Sequence, residues 1–180
     1  MRRNYKEMPM IVAYAGKTPQ IGKNVFIAPN ATVIGDVKIE DNASIWYGTV
    51  IRGDMEPITI GENTNIQDNC TVHTDYGCPT VIGRNVSVGH NAVVHGSTIE
   101  ENCLVAINAV VLSGAYMEEG SILAAGSVLR EKGRLEKYNL AAGVPAVVKK
   151  VLSKEAAQTF LQPVHNYLEL SKRHAKLHDQ

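Results

Sequence analysis

Aliphatic side chains return every six positions along most of this chain. The series begins Ile21, Ile27, Val33, Ile39, Ile45, Ile51. After a short slip it resumes at Ile60, Ile66 and Val72, then at Ile82, Val88 and Val94. A one-residue contraction follows, and the last run is Ile99, Val105, Val111, Met117, Leu123, Leu129. Small side chains stand four residues after many of these anchors: Ala31, Ala43, Thr64, Cys70, Ala92, Cys103, Ala109, Ser121, Ser127. A period this short predicts a parallel β-helix, each hexad being one short strand and a corner.

Three hexads complete a triangular coil, and coils stack at roughly 4.8 Å, the spacing of paired strands. The anchor points into the prism, and the small residue fits the crowded corner. Gly22, Asn24, Gly35, Asn42, Gly61, Asn63, Gly83, Asn85 and Asn102 recur around the corners, where positive φ is expected. A β-sandwich would alternate at wider spacing and helices would show a 3.6-residue period, and neither pattern is present. Handedness does not follow from the repeat, since the crossover rule favours a right-handed coil. The expected organisation is an N-terminal segment 1–15, an all-β parallel β-helix 16–150 and a C-terminal α-helix 153–178.

Beyond the repeats, Ala141-Ala142-Gly143-Val144-Pro145-Ala146 reads as a turn leading out of the prism. Ser153 is a candidate N-cap for a helix carrying Glu155, Phe160, Leu161, Val164, Leu168 and Ala175. Pro163 either kinks that helix or marks its true first turn. His174 and His178 stand four apart without a patterned carboxylate partner, so they read as a solvated tail.

Composition fits one globular unit: 180 residues with 44% apolar content suffice for a core. The formal net charge of zero argues against nucleic acid or an anionic membrane as partner. No apolar run is long enough to span a bilayer, and none follows the basic start as a signal peptide would require. Three cysteines, an odd number, favour a reducing compartment, and cytoplasmic placement is the expectation. Cys70 and Cys103 fall in small-residue slots and are expected in the core; Cys78 lies in a loop.

The repeat also fixes where three histidines point. Val72 to Val94 spans three hexad steps, one full coil, with the first step lengthened by Asp75–Thr80. His73 and His95 each follow their anchor directly, so they should stack, pointing outward, on adjacent coils. One strand spacing is about the separation that two imidazoles on a single metal need. His90, two residues past Val88, belongs to another face and should point away from that pair. A three-fold assembly would bring the His90 corner of one subunit to the His73/His95 face of its neighbour. That arrangement gives three identical sites in a homotrimer.

The segments Arg52-Gly53-Asp54, Asn65-Ile66-Gln67-Asp68-Asn69, Val72-His73 and Val88-Gly89-His90-Asn91-Ala92-Val93-Val94-His95-Gly96 resemble the γ-class carbonic anhydrases and their relatives. The resemblance covers about residues 15–150. It implies a left-handed β-helix, a trimer, and zinc (iron or cobalt in some members) held by His73, His95 and a neighbour's His90. It further implies that Arg52 and Asp54 help form the subunit interface. Gln67 then contacts the metal-bound water or bicarbonate, with Asp68 in the same network. By register, Gln67, directly after Ile66, is expected one coil below His73 on its outward column.

The chemistry so implied is reversible hydration of carbon dioxide by a metal-bound hydroxide. The chain departs from the archaeal prototype of this family after Arg52-Gly53-Asp54. Met55 stands where the prototype has a proton-relaying glutamate, and Glu56 comes one place later. The long acidic loop after the first histidine is reduced to Thr74-Asp75-Tyr76-Gly77-Cys78-Pro79. A thioether carries no protons, so weak hydration is expected. Two other classes stay open. One is a hexapeptide-repeat acyltransferase or acyl-coenzyme A thioesterase, and the other a non-catalytic trimeric metal-binding scaffold.

Overall fold

The anchors stack into three inward columns. Val33, Ile51, Val72, Val94, Val111 and Leu129 pair successively in parallel register. So do Ile27, Ile45, Ile66, Val88, Val105, Leu123 and Ala141. The third column is Ile21, Ile39, Ile60, Ile82, Ile99, Met117 and Leu135. A computed structural model thus describes residues 8–178 as a left-handed parallel β-helix of about seven coils with a C-terminal helix. Residues 1–7 of the N-terminal segment and the side chain of His178 lie outside the described residues. Met10–Val12 already pairs with Thr32–Ile34 and so joins the sheet.

From Val33 to Leu135 every anchor in these columns is buried. Ile21, at 38% exposed, and the half-buried Ile27 are the exceptions, because they belong to the terminal coil. The small-residue slots are buried throughout, and three of their polar members donate to backbone carbonyls. Thr64 Oγ1 donates to the Gly83 carbonyl (2.7 Å), Cys70 Sγ to that of Gly89 (3.1 Å) and Cys103 Sγ to that of Glu118 (3.1 Å). Burial pushes the Cys70 thiol up to about 12 and that of Cys103 to about 11.

The corner asparagines adopt positive φ, 54–61° at Asn24, Asn42, Asn63, Asn85 and Asn102, and their side-chain amides form a continuous hydrogen-bonded ladder. Gly22, Gly61 and Gly83 do not share that conformation, contrary to expectation. Their role is close approach: a Cβ on Gly61 would sit 2.5 Å from the carbonyl carbon of Gly83.

Two long strands, Thr32–Ile39 and Val50–Ile60, turn a corner and join two faces of the prism into one 12-stranded sheet. Their register jumps from Gly35↔Gly53 to Val37↔Ile58, so Asp54-Met55-Glu56-Pro57 bulges outward against the single residue Asp36. This bulge is the slip between Ile51 and Ile60 in the repeat. On the next coil, the loop between strands Thr71–His73 and Thr80–Ile82 emerges at the same corner. Glu56 secures it, accepting from Gly77 N–H (3.0 Å) while its own N–H donates to Thr74 Oγ1 (3.2 Å).

The third face is an eight-stranded sheet ending in the antiparallel hairpin Asn139–Ala142 and Val147–Val151. Helix α1 (Lys154–Gln158) follows, capped by Ser153 Oγ accepting from Ala156 N–H (3.2 Å). A 3-10 turn (Thr159–Leu161) leads to α2 (Gln162–His178), with Pro163 in its first turn, where the missing N–H is harmless. α2 lies on the third face, burying Val164 and Ser171 and half-burying Tyr167, Leu170 and His174; Ala175 is exposed. His174 is therefore no solvated residue. Its ring packs at 4.9 Å from Trp46 and 6.1 Å from Phe26, and Nδ1 meets the Tyr47 hydroxyl at 3.0 Å. Among the described residues no helix is long and apolar enough to cross a membrane.

Candidate metal centre

On the 12-stranded sheet His73 and His95 pair in direct register, one coil apart, with ring centroids separated by 5.1 Å. The residue one coil below His73 is Arg52. Gln67 is not in this column, which corrects the expectation: Ile66 to Val72 is one hexad, a third of a coil, so Gln67 lies on the neighbouring face beside Gly89. The bulge after Gly53 turns Asp54 toward His73, whose Nε2 lies 3.0 Å from Asp54 Oδ1. Arg52 Nη1 donates to the other carboxylate oxygen at 2.5 Å. Burial would raise the Asp54 carboxyl, but the hydrogen bonds from His73 and Arg52 and the guanidinium charge outweigh it and hold the group below its ordinary value. Asp54 is thus an acceptor only.

Hydrogen-bond polarity then assigns the His73 ring. A carboxylate accepts, so Nε2 carries the proton and Nδ1 presents its lone pair. That bare nitrogen faces Nε2 of His95 at 3.1 Å. Two imidazole nitrogens on one tetrahedral zinc, at 2.0–2.1 Å each, stand about 3.3 Å apart. A carboxylate behind a ligating histidine is also the usual support for such a ligand. The donor set and spacing fit a divalent metal.

The second group lies on the eight-stranded face. His90 Nδ1 meets Asp68 Oδ2 at 2.8 Å, and its Nε2 lies 3.4 Å from the Tyr167 hydroxyl of α2. Burial, the Asp68 charge and the neighbouring Cys70 push Tyr167 up to about 12, so it remains a donor. Gln67 is buried; its Nε2 donates to Asn65 Oδ1 at 3.0 Å, and Ser87 Oγ donates to the same oxygen at 2.9 Å. Asn65 Nδ2 has no partner among the described residues. Among the described residues no three such donors converge in one chain. His73, His95, Arg52 and Asp54 group together on the 12-stranded sheet, and His90, Asp68 and Gln67 group on the eight-stranded one.

Reading the repeat missed Tyr167, Asn65 and Ser113, whose Oγ lies 2.9 Å from His95 Nδ1. Tyr167 was accessible from helical spacing, since Val164, Tyr167, Ser171 and His174 share one face. Ser113 follows from register, standing two residues past Val111, which stacks on Val94.

The repeats match family models for the bacterial transferase hexapeptide (residues 18–53) and the hexapeptide repeat of succinyl-transferase (residues 79–113 and 97–131). The chain is 46% identical over 152 residues to a probable carbonic anhydrase of Methanocaldococcus jannaschii, spanning 84% of this chain and 96% of that one. It belongs to the γ-class carbonic anhydrase family. Another member, the mitochondrial γ carbonic anhydrase 2 of Arabidopsis thaliana, is 42% identical over 165 residues, but the match spans only 59% of that longer protein. The solved structure of a putative acetyltransferase from Bacillus cereus superimposes with a TM-score of 0.91 at 34% identity, covering 94% of this chain and 99% of that one. The γ-carbonic anhydrase family thus shares its prism with proteins described as transferases.

Proposed function

We propose that this protein is a metal-dependent γ-type carbonic anhydrase catalysing the reversible hydration of carbon dioxide. The observation that carries this reading is the stacked pair of imidazole nitrogens, His73 Nδ1 and His95 Nε2, 3.1 Å apart. His90 of a neighbouring subunit would complete the ligand set in a homotrimer, because its own chain leaves it on another face. Zinc suits three imidazoles, and iron or cobalt would also be accommodated. Such a metal supplies Lewis acidity that lowers the pKa of a coordinated water to about 7.

The remaining steps fall to side chains. Asp54 orients His73, and Asp68 orients His90. Gln67, whose Nε2 is held by Asn65, would direct water or bicarbonate with its carbonyl oxygen. Arg52 fixes Asp54 and, at the subunit boundary, the adjoining surface. Proton egress is the weak point: Met55 carries no proton, and the Glu56 carboxylate holds the Gly77 amide. Slow hydration follows from that. Cytoplasmic placement rests on the cysteine reading, whereas the Arabidopsis relative is mitochondrial by name.

The resemblance to the Bacillus acetyltransferase favours acyl transfer or acyl-thioester hydrolysis as the second reading. Stopped-flow hydration on anaerobically purified, metal-quantified protein separates the two. A metal-dependent rate lost in His73→Ala supports the anhydrase. Absence of hydration at about one metal per subunit would transfer the proposal to acyl-thioester chemistry, and a closed, inert site would leave a trimeric scaffold.

A further inference from the structure

Ser113 and Asp75 extend the site in a direction that the ligands and their carboxylates do not cover. Ser113 Oγ lies 2.9 Å from Nδ1 of His95, and it donates its hydrogen toward Asp75 Oδ2 at 3.4 Å. A hydroxyl has one hydrogen. If that hydrogen points to the Asp75 carboxylate, the Ser113 oxygen can only accept from His95, and Nδ1 of His95 must be the protonated nitrogen. Nε2 is then bare, and it is the atom that faces the bare Nδ1 of His73 at 3.1 Å. For two neutral rings this juxtaposes two acceptors with no hydrogen between them, an arrangement satisfied by a cation.

We infer that Asp75 and Ser113 form a positioning relay that fixes the His95 tautomer, and thereby presets the metal-facing nitrogen before any metal arrives. The inference deepens the metal-site reading and rests on it. The relay has a structural origin in the short loop after His73. Asp75 and Cys78 bridge each other through the backbone, and Glu56 holds Gly77 from below. The loop is thereby folded back so that the carboxylate reaches Ser113, which belongs to the coil above His95. Thr80 Oγ1, donating to the His73 carbonyl at 2.5 Å, closes the far end of the loop. The abbreviated loop is therefore a strut for the second histidine.

The relay makes a distinction that a packing role would not. Asp75→Asn keeps the shape, but its amide can donate to Ser113, freeing the hydroxyl hydrogen to turn toward His95. Metal-free protein labelled with 15N-histidine reports each tautomer directly through its ring-nitrogen shifts. The expected result is His95 protonated at Nδ1 in the parent, and a shift toward the Nε2–H form in Asp75→Asn and Ser113→Ala. Zinc affinity, measured by competition with a chromogenic chelator, should fall about 10–100-fold in both, as for other losses of a ligand's outer partner. Ser113→Thr, which retains the hydroxyl, should preserve tautomer and affinity. An Nε2–H form of His95 in the parent, or unchanged tautomer and affinity in both variants, would overturn the relay. His73→Ala serves as the separate control: undiminished zinc affinity there would refute the metal site itself, while the tautomer measurement still judges the relay.

Discussion

Tyr167 on helix α2 holds its hydroxyl 3.4 Å from Nε2 of His90, so the C-terminal helix reaches the nitrogen that a metal would need. Asp68 accepts at Nδ1 of the same ring, which leaves Nε2 as an acceptor for the tyrosine proton. A metal bound at that nitrogen, as proposed above, would have to displace the Tyr167 hydroxyl. Tyr167→Phe should leave metal stoichiometry intact, whereas Asp68→Asn should weaken zinc binding by about 10–100-fold. Chelator competition on both variants checks this; a loss in Tyr167→Phe as large as that in Asp68→Asn would show that the hydroxyl supports His90 as much as the carboxylate does.

The docking of α2 depends on aromatic packing against the first coils. Trp46 is buried, 5.1 Å from Phe26, 4.8 Å from Tyr167 and 4.9 Å from His174 between ring centroids. Trp46→Ala should cost about 3–5 kcal/mol by the usual scale for buried aromatics. Urea denaturation measures the loss, and hydrogen exchange over residues 162–178 should show α2 opening first. Unchanged protection there would mean that the helix is held elsewhere.

The repeat made most of this fold legible, because an inward aliphatic every six residues has one efficient stacking and the histidine register follows from it. It failed where a residue's neighbours come from other parts of the chain. Gln67 falls on the face next to His73 rather than beneath it, because one hexad is a third of a coil. His174 looked solvated because its partners, Phe26, Trp46 and Tyr47, lie more than a hundred residues away. Gly61 and Gly83 carry a turn signal in the sequence, but what requires them is the backbone of the next coil, which leaves no room for a Cβ. The stacking of His73 on His95 is legible from the repeat; the groups hydrogen-bonded to those rings are legible only in part.

Glu100 offers a pH-dependent test of the corner contacts. It accepts from the Tyr116 hydroxyl at 2.5 Å and from Glu119 N–H at 2.8 Å, and these bonds hold its carboxyl below the ordinary value. A lowered folded pKa contributes stability that is present above the unfolded value of about 4.3 and is lost as pH falls through the folded one. Glu100→Gln should therefore destabilise by about 1 kcal/mol at neutral pH, discounted for partial exposure, with the difference shrinking toward pH 3. Denaturation curves at pH 7 and pH 3 decide it; a difference that grows in acid would reverse the sign assigned here.

The thiols should divide sharply. Cys70 and Cys103 are buried with raised pKa values, while Cys78 is half-exposed in the loop after His73. Native protein should react with a thiol reagent at one cysteine per chain, and at three after denaturation. Mass spectrometry locates the adduct, and fast labelling of Cys70 would contradict the packed corner slots.

Met55→Glu should raise steady-state hydration if proton egress limits turnover, because the carboxylate is restored at the bulge beside Asp54. The gain should shrink in concentrated buffer, which carries protons by itself. An unchanged rate in dilute buffer would remove this explanation for slow turnover.

The central claim, a metal held between subunits, is tested most directly by mixing. Neither His73→Ala nor His90→Ala should bind zinc alone. Unfolded together and refolded in equal amounts, they should recover about a quarter of the sites, since random pairing around a three-fold ring places an intact His73/His95 face against an intact His90 that often. Zinc at that level, with hydration activity in proportion, is the expected result. Mixed assemblies that form but bind no zinc would contradict a site shared between subunits.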